Sequence, residues 1–168
     1  MSQLFQGLNG KPVENGMRLW ITALTWALVS AGSGHAAEAK MEFYTSAGAK
    51  AAGLPFSEAV RVGDVLYLSG ALGNVPGKLE LVPGGLEAET RQTMANIGAV
   101  LKANGLTFDE VFKCTVMLAD MKEWAAFNKV YVTYFKPDRL PARSAFGAAG
   151  LALNARVELE CWAHVGKR

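Results

Sequence analysis

Apolar and polar residues change rhythm several times along this chain, and each change predicts an element. Residues 59–69 (AVRVGDVLYLS) hold two short β-forming runs split by Gly63-Asp64, the pattern of a hairpin. Residues 73–85 (GNVPGKLELVPGG) are rich in glycine and proline and predict a loop. From Leu86 to Asn104 the period lengthens. Thr90, Met94, Ile97 and Leu101 recur at helical spacing, and Gly105 supplies the stop. Residues 111–119 (VFKCTVMLA) predict a strand. Asp120 and Glu123 have the spacing of a capping box and open a second helix, striped by Trp124, Phe127, Tyr131 and Tyr134 and closed by Lys136-Pro137-Asp138. Residues 155–165 alternate strictly. Val157, Leu159, Cys161, Ala163 and Val165 point one way; Arg156, Glu158, Glu160, Trp162 and His164 point the other.

The order strand, strand, helix, strand, helix, strand predicts an α+β domain in which two helices cover one face of a sheet. The other face would carry Trp162 beside Glu158 and His164. That mixture suits a partner subunit or a ligand cleft better than bare solvent. The stripe from Trp124 to Tyr134 is expected to be core rather than a base-stacking platform.

Upstream of this domain the pattern is different. Residues 19–31 (LWITALTWALVSA) form an uncharged run of 13 residues, preceded by Arg18 and followed by small residues. A basic residue, an apolar run and a small-residue site have the form of a secretory signal, with cleavage expected after Ala36 or Ala39. The run is shorter than the ~20 residues that span a bilayer. Met17 makes a more ordinary start for such a signal than Met1. The expected organisation is a signal region over 1–39 and one domain over 40–168, in the periplasm or outside the cell. If the segment is instead a buried N-terminal helix, the protein is cytoplasmic.

Composition narrows the chemistry. The 168 residues suit one domain, and 51% hydrophobic with 19% charged residues excludes a disordered chain. Net charge is +2, and the loss of Lys11, Arg18, Glu14 and Glu38 with the signal leaves it there. Nucleic-acid binding through bulk charge is not expected. With only His35 and His164, a three-histidine metal site within one chain is impossible. Cys114 and Cys161 lack a C-x-x-C spacing. They could pair only if their strands are adjacent; the preferred reading is two small apolar core residues.

Several segments in order carry a resemblance: LPFSEAVRVGDVLYLSG, VPGGLEAETRQTMANIGAVLKANG, FNKVYVTYF, LPARSAFG and RVELECWA. Together, from about Glu42 to Val165, the chain resembles the Rid/YjgF family of reactive-intermediate deaminases. The resemblance implies a chorismate-mutase-like α+β fold and a homotrimer with ligand sites between subunits. It implies hydrolysis of 2-enamines and 2-imines such as 2-aminoacrylate to 2-keto acids and ammonia, with no metal or organic cofactor. It places the family's arginine on Arg143 and, fifteen residues on, its carboxylate on Glu158. The substrate-binding positions fall on Phe56, Ser69, Gly70, Asn128, Arg143 and Ala145. Two depart from the family's usual residues: Phe56 stands where a tyrosine is common, and Ala145 where a cysteine is.

The residue types fit that chemistry. A guanidinium fork grips a carboxylate through two parallel hydrogen bonds and fixes its orientation, which Arg143 can do. Glu158 can move protons to and from the reacting carbon, nitrogen and water. Glu160 on the same strand face would raise the pKa of Glu158 and Arg156 would lower it, and the sequence leaves the balance open. Backbone groups near Ser69, Gly70 and Ala145 are candidates to hold the water and the leaving nitrogen. The alternative is a non-enzymatic trimer that binds small carboxylates or serves as an interaction protein. A ribonuclease activity, sometimes assigned to this family, is disfavoured by the balanced charge.

Overall fold

The computed structural model describes residues 40–166. The predicted signal run and both cleavage points lie outside the described residues. Seven strands and three helices follow one another in the order β1 Met41–Tyr44, α1 Ala47–Ala51, β2 Ala59–Val62, β3 Val65–Leu68, β4 Ala71–Leu72, α2 Gly85–Ala103, β5 Val111–Leu118, α3 Trp124–Tyr131, β6 Ala142–Gly147 and β7 Val157–His164. They form one mixed sheet in the order β1-β2-β3-β7-β5-β6, with the short β4 also on β7. All pairings are antiparallel except β5 with β6, whose crossover carries α3. The expected α+β class, the hairpin at Gly63-Asp64 and both long helices are present.

The core lies between the sheet and the two longer helices. Met94, Ile97 and Leu101 of α2 and Phe127 of α3 pack with Val116, Leu118, Val157 and Leu159, all at most 1% exposed. Truncating such a residue costs several kcal/mol, about 3–5 for Phe127→Ala. The hydroxyls of Thr90 and Thr93, also buried, donate to the carbonyls of Leu86 and Glu89 one turn back and so enter the core satisfied, whereas the buried hydroxyl of Tyr131 has no hydrogen-bond partner among the described residues.

Four elements escape the pattern reading: β1, α1, β4 and β6. β1 is mostly exposed and α1 is a single short helix, so neither carries a periodic apolar stripe. In β6 the sequence ARSAFG puts small residues at most positions, and the strand exists because parallel pairing with β5 holds it. The capping box at Asp120 also needs correcting. The Asp120 carboxylate accepts from the amide of Lys122 and opens a 3-10 turn over Met121–Glu123. Glu123 does not return to it but takes the guanidinium of Arg156. The charged partner won over the local amide.

The cysteines are a second correction. Cys114 and Cys161 are register partners on β5 and β7, fully buried, and joined by a disulfide. Small apolar core residues was right about burial and wrong about the bond. Their adjacency is a property of strand order, which the spacing of two cysteines does not encode.

Candidate active site

Arg143 sits on the edge strand β6, with its side chain on the helix-covered face. Its guanidinium carbon lies 4.4 Å from the centre of the Trp124 ring and 4.8 Å from that of Tyr131, both on α3. Its Nη1 donates to Asn128 Oδ1 at 2.8 Å. Residues 124, 128 and 131 are spaced by four and three, so one face of α3 supplies both rings and the acceptor. Rings attract a cation through their electron-rich faces without neutralising it. Burial pushes the Tyr131 hydroxyl up to about 12 against the pull of Arg143, so the ring stays neutral beside the charge. Among the described residues Arg143 makes no ion pair. Of its five N–H donors, one goes to Asn128, and a planar fork remains for an anion. Ala145, two residues along β6, lies on the same face against the core.

Glu158 lies on β7 with its side chain on the opposite face. Its neighbours Val157 and Leu159 are fully buried toward the helices, while Glu158 is half-buried beside its register partners Met117 and Leu72. Burial raises its pKa above the usual carboxylate value, and Glu160 on the same face adds to the shift. The Glu160 effect is the one expected from spacing. Arg156, the expected counterweight, is held by Glu123. The carboxyl is packed against Gly70: a Cβ added there would lie 2.0 Å from Glu158 Oε1.

The remaining positions gather near Gly70. Ser69 Oγ donates to the Ser57 carbonyl at 2.7 Å, so its hydroxyl ties the strand end to the segment after Phe56. Phe56 is half-exposed, and it, Ser69 and Gly70 line one cavity of about 280 Å³. The seven residues singled out in the sequence thus form two groups. Arg143, Asn128 and Ala145 share the helix-side edge; Phe56, Ser69, Gly70 and Glu158 cluster at the end of β3. Within one chain the guanidinium and the carboxyl face away from each other across the sheet.

The stripe Trp124, Phe127, Tyr131 and Tyr134 belongs to or packs against the core, as expected, but the second role of Trp124 and Tyr131, facing Arg143, was not read from the sequence. The signal was available: an asparagine between two aromatics on one helical face. Among the described residues, no group of three His, Cys, Asp or Glu side chains could hold a metal ion.

A family model described as Endoribonuclease L-PSP matches residues 47–165. The chain belongs to this family. Its relatives and neighbours carry the Rid and YjgF names of the resemblance drawn above. A mouse protein named 2-iminobutanoate/2-iminopropanoate deaminase is 45% identical over 112 residues, covering 67% of this chain and 82% of the mouse protein. Reactive Intermediate Deaminase A, chloroplastic, from Arabidopsis thaliana is 39% identical over 126 residues, covering 75% of this chain and 67% of the plant protein. Among solved structures, the Rid-family protein YyfA from Yersinia pestis superimposes with a TM-score of 0.69 at 33% identity, covering 75% of this chain and all of that one. The YjgF gene product of E. coli gives 0.65 at 29% identity, covering 73% and 98%. The chorismate-mutase-like mixed α+β fold expected from the resemblance is the fold of these Rid-family neighbours.

Proposed function

We propose that this Rid-family protein is a hydrolytic deaminase of 2-enamine and 2-imine acids, releasing 2-keto acids and ammonia. The observation that carries the reading is the guanidinium of Arg143, oriented by Asn128 and two rings yet free of any ion pair among the described residues. A cation held in this way is available to a substrate carboxylate. The relatives named as imine deaminases support the same reading.

The chemistry then falls to Glu158. Its raised pKa keeps a share of the carboxyl protonated nearer neutral pH, so it can give a proton to the enamine carbon and form the imine. Water adds to the C=N carbon and its proton passes to the carboxylate. The same group returns a proton to nitrogen; the added hydroxyl then gives its proton to the carboxylate as the C=O bond forms, the C–N bond breaks, and ammonia leaves the 2-keto acid. No covalent intermediate and no cofactor enters this route. Backbone groups at Ser69, Gly70 and Ala145 are suited to hold the water and the leaving nitrogen.

Because Arg143 and Glu158 face opposite sides of the sheet, this reading requires two copies of the chain, the arginine of one meeting the carboxyl of the next. A homotrimer provides that arrangement. The open sheet face supports association. Met41 and Phe43 are 60% and 68% exposed, and Tyr67, Phe112 and Trp162 extend the apolar surface across β3, β5 and β7. Export to an oxidising compartment is part of the proposal. It rests on the signal-like run at 19–31 and is supported by the disulfide, a bond that persists where thiols are not kept reduced.

The test follows loss of imino acids generated in situ by an amino-acid oxidase. Arg143→Ala is expected to lose most turnover, because removing one member of a charged contact costs ~2–5 kcal/mol. Equal rates for the two proteins overturn the proposal. Binding of 2-keto acids by calorimetry with no turnover favours the carboxylate-binding alternative. RNA cleavage that survives substitution of both Arg143 and Glu158 and follows the protein through purification favours the activity in the family model's description.

A further inference from the structure

The cavity beside Gly70 lies between α1, α2, the end of β3 and the loop after β4. Its volume is about 280 Å³, and Leu54, Phe56, Leu68, Leu72, Ile97 and Val100 line much of it. Polar side chains also reach it; several are already occupied by the protein, while Lys78, an exposed residue, stands at it as well. Glu58 Oε2 accepts from the Ser46 amide at 2.6 Å. Ser69 Oγ is bound to Ser57. Asn96 Nδ2 donates to the carbonyls of Leu72 and Asn74, each at 2.9 Å. A polar group entering would find few unmet partners and would leave its water behind at a cost, whereas hydrocarbon gains from the transfer.

Size and position identify the occupant. A protein cavity of ~150 Å³ lined by Leu, Ile and Phe is large enough to take benzene, so this one accommodates a branched aliphatic or aromatic group. Gly70 belongs both to the cavity wall and to the surface on which the Glu158 carboxyl rests. An acid whose C=N carbon lies near Glu158 can therefore send its substituent past Gly70 into the cavity. Phe56, without a hydroxyl, keeps the lining apolar at that point.

We infer that this cavity is the side-chain subsite, and that the preferred substrates are 2-imino acids with large apolar substituents rather than the imines with one- and two-carbon side chains for which relatives are named. The inference rests on the deaminase reading above.

The experiment compares imines generated from leucine and phenylalanine with that from alanine, measured as kcat/KM. A difference of about tenfold or more in favour of the larger substituents is expected, since each added methylene in an apolar pocket gives roughly 10–200-fold. Ala99→Phe and Val100→Phe, which fill the cavity from α2, should bring the ratio close to one while circular dichroism shows an intact fold. Hydrolysis of all three imines with no preference, or a ratio unmoved in both folded variants, overturns the subsite and leaves the deaminase reading standing. No hydrolysis of any of them overturns both.

Discussion

Glu158 rests its carboxyl on the bare α-carbon of Gly70, where a Cβ would meet Oε1 at 2.0 Å and Cδ at 3.0 Å. Gly70 is not among the glycines with left-handed φ, so it is space and not backbone conformation that calls for glycine here. Gly70→Ala would turn the carboxyl away without disturbing the core. Turnover in the imine assay should fall roughly 10²-fold, the range for a displaced proton-transfer group, with a thermal midpoint close to wild type. A variant with the full rate would separate Glu158 from the chemistry.

Asn128 orients the Arg143 guanidinium through a neutral oxygen and leaves its charge unspent. Asn128→Ala removes one hydrogen bond to a charged group, worth ~1.5–3 kcal/mol, so 2-keto-acid affinity should fall at least about tenfold. Asn128→Asp should weaken it further, because a carboxylate there closes an ion pair on the fork proposed to take the ligand. Calorimetry with the three proteins gives the order. A tighter-binding Asp variant would contradict the account.

The raised pKa of Glu158 fixes a sign for stability. Below the ordinary carboxylate value the group is neutral folded and unfolded and costs nothing. As pH rises toward the folded pKa the unfolded chain ionises first, so stability is lost across that window. Glu158→Gln removes the loss. Its thermal midpoint should match wild type near about pH 3.5, below the free carboxyl's pKa, and exceed it near neutral pH, while activity disappears. A wild-type advantage at neutral pH would mean that the site favours the charged form.

The disulfide ties β5 to β7 across a sequence separation of 47 residues. Chain-entropy arguments give about 2–4 kcal/mol for such a link. Reduction, or the Cys114→Ala, Cys161→Ala double variant, should lower the denaturation midpoint accordingly. An unchanged midpoint under reductant would mean that burial of the two sulfurs does the work alone.

The long periodic segments were legible because their burial is one-sided. Met94, Ile97 and Leu101 repeat at helical spacing, Val157 to Ala163 alternate, and all of them point into the core. β6 was not legible as a strand. It holds Arg143 through pairing with β5, and pairing between distant segments leaves no periodic trace in a short run of small residues. For the same reason the site residues could be named from family spacing but not sorted by face. Register with β5 and β7 puts Arg143 and Glu158 on opposite sides of the sheet, which no interval of fifteen residues reveals. The cause of the Glu158 shift divided in the same way. Glu160 was visible two positions away, whereas burial and the capture of Arg156 by Glu123 depend on tertiary packing.

The two-faced placement makes subunit mixing the most direct test. Arg143→Ala and Glu158→Ala proteins, each expected to be inactive alone, are unfolded together, refolded as mixed assemblies of the proposed trimer and assayed for imine hydrolysis. If each site takes its arginine from one copy and its carboxyl from the next, random assembly restores about one quarter of the wild-type rate. If a single chain builds the whole site, every site lacks one residue and the mixed assemblies stay inactive.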